Sequence, residues 1–494
     1  MFRKIERRQL LNRRNMLFTS LHFALFFPIV TVGFFLIPSK MKVAWLLLAS
    51  CIFYMAFIPA YILILFVTIL IDYAAGIGLE KVEAGHRKIL LVISIASTCL
   101  VLLVFKYLYF AIDSIILAAG YAGVHLAHPV ISIVLPIGLS FHTFQSLSYV
   151  IEVYKGNQKA EKNLVVYATY VMFFPQLVAG PIERPQNLLH QFRARHEFSY
   201  EAATQGLKRM AWGFFKKLVI ADRLALYVND VYRAPRNFNG TQLTIATFFF
   251  AYQIYCDFSG YSDIAIGAAQ VMGFKLMENF NSPYHSLSIG EFWHRWHISL
   301  STWFKDYLYI PLGGSRVNYW PHVRNILITF AVSGLWHGAN WTYVFWGTLN
   351  GVYLVAGQAS KRYRDAIFAA CGIGDASPLR KSVSLATTFI LACIAWVLFR
   401  AASISDAMYV LTHFLRNWNL HNIATEQFYL RQFPVAVGSI IFLEIAEMLA
   451  ARDFKIEEVL AKSLAVRWAA YASFVVLVIL LGVYKSAQFI YFQF

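Results

Sequence analysis

The sequence predicts an all-α polytopic membrane protein with about 10–13 transmembrane helices, on three observations. Of its 494 residues, 59% are hydrophobic and only 14% charged, whereas a water-soluble domain has about 45–50% and about 25%. Apolar runs near the ~20 residues needed to cross a bilayer as a helix recur along the chain. None of them alternates with period two, which excludes a transmembrane barrel. The same composition excludes disorder, collagen and a disulfide scaffold. The five cysteines, Cys51, Cys99, Cys256, Cys371 and Cys393, are odd in number, far apart and without CxxC or HxC spacing.

The elements follow in order. Residues 1–15 form a basic arm, with Arg3, Lys4, Arg7, Arg8, Arg13 and Arg14 against Glu6. The apolar run from Leu17 to Ile37 follows with no small-residue cleavage site, so an uncleaved first span is expected rather than a signal peptide. The positive-inside rule places the arm in the cytoplasm, and Met16 is an alternative start. Further runs cover about 43–76, 89–119, 129–151, 164–180, 206–228, 242–273, 325–355, 383–401, 433–450 and 467–485. The longest are expected to break at Pro59 and near Gly338. Residues 16–494 thus read as a single transmembrane domain following the arm.

The connectors carry the charge, chiefly Pro181–Arg236, Ser360–Lys381 and the mixed, helix-patterned Arg452–Arg467. The net charge of +17 is therefore read as topology, cations lying beside anionic membrane lipid. Its scatter between spans fits a nucleic-acid-binding surface poorly. No internal repeat or paired broken segment marks an inverted-repeat transporter.

Lys275–Arg324 departs from the rest. It mixes His, Arg, Glu and Asp with Trp, Tyr and Phe between two apolar runs. Too polar to span lipid and too aromatic for a plain loop, it fits interfacial or re-entrant helices and concentrates the chemistry. His297 lies in this stretch, and His337 lies 40 residues on, inside an apolar run. An ionisable group in a membrane segment is a functional candidate by default, and imidazole is the natural general base near neutral pH. A histidine hydrogen-bonded to a neighbouring helix is the plainer alternative. Gly334, Gly338 and Ala339 would let a neighbouring helix, or a thin substrate, approach His337 closely.

Glu291, His294 and His297 at i, i+3 and i+6 fall on roughly one face if helical. They lack the paired spacing of zincins, so a polar helix face explains them better than a metal site. Pro311-Leu312-Gly313-Gly314-Ser315-Arg316 offers backbone N–H groups to a phosphate, though a turn ending an amphipathic helix is the plainer account. Of the acids in or beside apolar runs, Asp72, Glu152, Asp257, Asp263, Glu444 and Glu447, the pair Asp257 and Asp263 is expected to be structural and matched by arginine. No nucleophile elbow, Walker A loop or dinucleotide fingerprint appears in a suitable context.

Six segments taken in order carry a resemblance: Phe173–Pro185, Gly213–Leu224, Tyr255–Gly267, Glu278–Tyr284, Glu291–Gly314 and Leu335–Gly347. Together they resemble the membrane-bound O-acyltransferases, and within them the branch of the bacterial alginate O-acetyltransferase membrane subunit. The likeness runs from about Pro136 to Tyr353, with Leu17–Tyr54 and Phe489–Phe494 also similar to that branch. The resemblance implies a ring of transmembrane helices, with interfacial and re-entrant helices, around a central tunnel. It maps the family's signature histidine onto His337 and its second polar position onto His297, the latter in substrate positioning.

The resemblance further implies transfer from a cytoplasmic thioester, acetyl-CoA first, to a hydroxyl on the far side, with no bound cofactor and no metal. Lys305, Arg316 and Arg324 are the candidates to meet the donor's phosphates, and Trp336 and Asn340 the candidates beside the reacting carbonyl. The expected setting is the bacterial cytoplasmic (inner) membrane, with polysaccharide synthesis and export machinery and a membrane-anchored SGNH-hydrolase-like acetyltransferase as partners. The basic arm is a departure from close relatives. Rival readings are a D-alanyl transferase of teichoic acids, a transporter and a scaffold for a polysaccharide synthase.

Overall fold

Every regular element among the described residues is helical, as the aperiodic apolar runs require. The computed structural model describes residues 16–129, 136–178, 180–426, 428–452, 454, 463–484 and 489–490. The basic arm, most of the Arg452–Arg467 connector and residues 491–494 lie outside the described residues. The helices used below are α1 (Leu21–Leu36), α2 (Lys42–Met55), α3 (Tyr61–Lys81), α4 (Ala84–Leu102), α5 (Leu108–Tyr121), α6 (Leu139–Lys155) and α7 (Leu164–Met172). They continue with α8 (Tyr200–Phe214), α9 (Asp222–Arg233), α10 (Gly240–Val271), α11 (Ile289–Arg295), α12 (Ile298–Phe304), α13 (Tyr319–His337) and α14 (Trp341–Ala359). The last are α15 (Lys361–Ala370), α16 (Pro378–Arg400), α17 (Ile404–His413), α18 (Phe433–Ala451) and α19 (Leu464–Leu481). The expected breaks fall where proline and glycine stand: Pro59 lies between α2 and α3, and Gly338 between α13 and α14.

Five helical stretches among the described residues are long and apolar enough to cross a membrane: Tyr61–Lys81, Gly85–Tyr121, Pro378–Arg400, Leu430–Ala451 and Leu464–Leu481. The chain divides by internal contacts into two units, Met1–Met210 with Ser262–Glu278, and Ala211–Tyr261 with Asn279–Phe494.

In the first unit, α3 packs against α4 and α6, and α2 against α7. Two of its acids find partners within the unit. Asp72 of α3 accepts hydrogen bonds from Ser94 and Thr98 of α4 at 2.9 and 3.1 Å. Asp263 accepts from Arg209 at 3.0 Å, and the same guanidinium grips Glu278.

In the second unit, the helix joining α8 to α9 widens over Phe215–Ala221 into a turn of π type, a local expansion frequent at functional or strained places. Lys217 sits in it and bridges Asp222 at 2.6 Å and Asp257 at 2.8 Å. Asp257 therefore departs from expectation. Its partner is a lysine, a compact point charge that fits between two carboxylates where a planar fork has no room. The second oxygen of Asp257 accepts from the Ile490 backbone N–H at 2.8 Å, which ties residues 489–490 into this unit. The close approach of helices here needs glycine, since a Cβ on Gly260 would lie 2.8 Å from the Gly213 carbonyl oxygen.

Candidate functional site

His337 is the last residue of α13, and α14 begins after a connection of three residues. Two things fix it. The first is the turn: Asn340 caps α14 by accepting from the Thr342 N–H at 3.0 Å, as asparagine does at an N-cap. The second is glycine packing between the two helices. A Cβ at Gly334 would lie 2.2 Å from the Tyr343 carbonyl oxygen, and one at Gly347 would lie 2.1 Å from that of Phe330. At Gly338 it would strike the Tyr343 ring at 2.2 Å. Small residues thus bring the two backbones together, in the manner of membrane helix pairs.

His297 is held differently. Ser288 caps α11 by accepting from the Glu291 N–H at 3.1 Å, and the Glu291 carboxylate turns back to accept from the Leu287 N–H at 2.8 Å. The helix then stops at Arg295. His297 stands between α11 and α12 with φ 44° and ψ 55°, the left-handed conformation. This costs a non-glycine residue about 1–2 kcal/mol and clusters at functional sites. Asn279 braces the strained turn. Its backbone carbonyl accepts from the Ile298 N–H at 2.9 Å. Its Oδ1 accepts from the Ser299 N–H at 3.3 Å and hydroxyl at 2.9 Å, and meets His297 Nδ1 at 3.1 Å.

The two imidazoles, 40 residues apart in sequence, come together with ring centroids 6.5 Å apart. Both are buried, His297 1% exposed and His337 4%. Aromatic rings enclose them. Phe258 stands edge-on to His297 at 4.5 Å. Trp336 lies 5.0 Å from His337 and 6.4 Å from His297. Trp346 and Phe399 cover His337 at 5.0 and 5.6 Å. Behind them Trp296 packs on Trp396 at 4.9 Å, on Phe280 at 5.1 Å and on Phe292 at 5.5 Å. Such pairs add about 0.5–1.5 kcal/mol each beyond burial, so the wall is stiff. Phe489 extends it, 4.7 Å from Tyr261 and 5.9 Å from Phe258.

Burial pushes the His297 imidazole down to about 3, because a dry wall disfavours the charged form. The ring is therefore neutral at physiological pH. A pair of imidazoles in an enclosure lined with aromatic rings is suited to moving one proton between oxygen, nitrogen and sulfur.

The other candidates fall elsewhere. Trp336 is buried in the wall. Asn340 is exposed, with its side chain used as a cap. Lys305, Arg316 and Arg324 are all exposed. Lys305 follows α12, and Arg316 and Arg324 flank the start of α13. At 1.5 Å per residue, Arg324 stands about 20 Å along the axis from His337. The Gly313-Gly314 pair takes positive φ values of 111° and 58°, and Asn325 donates to the Gly314 carbonyl at 3.2 Å, which is a turn ahead of α13. Glu291, His294 and His297 do not share a helix face, because the helix ends before His297. Glu291 pairs with Arg295 at 2.8 Å, and the His294 ring donates to the Gly290 carbonyl at 2.6 Å.

Residue reasoning missed Asn279, Phe258, Trp346 and Phe399. Asn279 had a signal, a polar residue within the Glu278–Tyr284 segment. The rings had none, since aromatic residues are common throughout the chain.

Comparison with known proteins identifies a family and several relatives. Residues 161–398 match the model of the MBOAT, membrane-bound O-acyltransferase family. A probable alginate O-acetylase of Pseudomonas putida is 38% identical over 438 residues, covering 87% of this chain and 86% of the relative. A peptidoglycan O-acetyltransferase of Helicobacter pylori is 32% identical over 428 residues, covering 80% and 78%. A teichoic acid D-alanyltransferase of Streptococcus thermophilus is 29% identical over 245 residues, covering 47% and 59%.

Proposed function

The chain belongs to the membrane-bound O-acyltransferase family and is a multi-pass membrane acyltransferase; on that premise we propose that it O-acetylates an exported polysaccharide from the bacterial inner membrane. The observation that carries the reading is the enclosed pair of His297 and His337, with ring centroids 6.5 Å apart. The donor is a cytoplasmic acyl thioester, acetyl-CoA first, and no cofactor is needed. Lys305, Arg316 and Arg324 are the cations offered to its phosphates, and Arg324 stands about 20 Å along α13 from His337.

The attacking hydroxyl oxygen bonds to the thioester carbonyl carbon while His337 takes its proton. The tetrahedral adduct then collapses, the C–S bond breaks, and the departing thiolate receives that proton. General-base assistance of this kind is worth about 10²–10⁴ in rate. Holding two reactants in one narrow enclosure supplies more. The acetyl group passes to an acceptor outside the membrane, with an SGNH-hydrolase-like acetyltransferase as the expected partner in placing it on polymer.

The test is transfer of labelled acetyl from acetyl-CoA by membranes carrying the protein, with polymer O-acetyl content as the second readout. His337→Ala, inserted at normal level, is expected to lower both by about 10²–10⁴. Full activity in that variant overturns the reading. The partial similarity to a D-alanyltransferase favours one alternative, a carrier-bound D-alanyl donor. Offering each donor separately decides between them.

A further inference from the structure

Asn279 belongs to no helix, yet it accepts hydrogen bonds from three successive residues of the turn that carries His297. The backbone N–H of Ser299 can only donate, so the Asn279 atom it meets at 3.3 Å is the amide oxygen. The Ser299 hydroxyl converges on the same atom at 2.9 Å. His297 Nδ1, 3.1 Å from that oxygen, must then carry a proton, because two acceptors do not attract. The neutral ring keeps its acceptor lone pair on Nε2.

We propose that Asn279 is a positioning residue that locks His297 in its Nδ1–H form, so that the ring meets substrate through Nε2 as a hydrogen-bond acceptor. The assignment rests on the acyl-transfer reading above and deepens it. It removes His297 from the groups able to donate to the developing oxyanion and gives it a donor group of the bound substrates to hold. It also explains the left-handed backbone at 297, which is kept by the Asn279 clamp on residues 297–299. The logic is that of a buried amide or carboxylate orienting a catalytic imidazole, where the wrong tautomer abolishes function while the geometry survives.

Two measurements test it. The first needs no turnover: ring nitrogen-15 NMR of histidine-labelled wild-type protein, with the His297 signals identified by their loss in His297→Gln. At pH 7, Nδ1 should be protonated and Nε2 bare. A protonated Nε2 overturns the proposal. The second is the pH profile of acetyl transfer. Wild type should show no acid limb from His297 between about pH 5 and 8, because its ring is already neutral there. Asn279→Asp places a carboxylate beside Nδ1, which favours the imidazolium. Activity should then fall about tenfold per pH unit as pH drops below the raised value, because protonated Nε2 no longer accepts. Asn279→Ala should lose about 10²-fold at every pH while inserting normally. Flat profiles with wild-type rates in both variants overturn the proposal. An active His337→Ala protein whose His297 tautomer is as described would sink the acyl-transfer mechanism and leave the Asn279 assignment standing.

Discussion

His337 and His297 face each other from segments held by opposite means. His337 ends a regular helix whose position is set by volume: Gly334, Gly338 and Gly347 leave room for Tyr343 and Phe330 and for nothing larger. His297 stands in a left-handed turn between two helices of seven residues each, set by hydrogen bonds that converge on Asn279. One arrangement fails when an atom is added, the other when a polar atom is removed. The difference teaches that packing places one group in this site and polar bonding orients the other.

Several substitutions would break or sharpen that contrast. The largest effect is expected from His337→Ala, with a rate loss of about 10²–10⁴, measured as acetyl transfer by membranes with equal amounts of inserted protein. Next is Gly347→Ala on the packed side. Its Cβ would lie 2.1 Å from a backbone oxygen, so the helices must part, at a cost of about 1–3 kcal/mol. Thermal unfolding in detergent reads this, and an unchanged midpoint would remove the packing half of the comparison.

On the strained side, His297→Gly should be more stable than His297→Ala by about 1 kcal/mol, because glycine adopts positive φ without cost. Both variants should lose activity. Equal stability would mean that the turn stores no strain. The smallest effect belongs to the exposed cations. Arg324→Ala should raise the donor KM a few-fold with kcat unchanged, an effect shrinking at high salt, since exposed charge interactions are worth about 1 kcal/mol or less.

Much of the helical scaffold was legible in the sequence, because span length and the breaking residues Pro59 and Gly338 act locally. The two histidines were legible as candidates because polar residues in apolar surroundings stand out. Their approach to one another was not, since it depends on how α13, α14 and the Asn279 segment fold together. The partner of Asp257 was misread for a similar reason. Lys217 and Asp257 are 40 residues apart, and only the widened turn at Phe215–Ala221 brings the ammonium between two carboxylates. The left-handed backbone of His297 had no sequence signal, because histidine is not the residue that usually announces it. Asn340 stands three residues from His337 in sequence, but its side chain is spent on starting the next helix.

The glycine seam between α13 and α14 also bears on how the protein is made. Neither helix is among the five long apolar spans, yet the first of them ends on His337. Two segments that fit one another through glycine gain more from entering a bilayer together than singly. The seam is thus expected to matter for biogenesis as well as for packing. A bulky residue there should reveal itself first as a chain that the insertion machinery rejects and quality-control proteases clear.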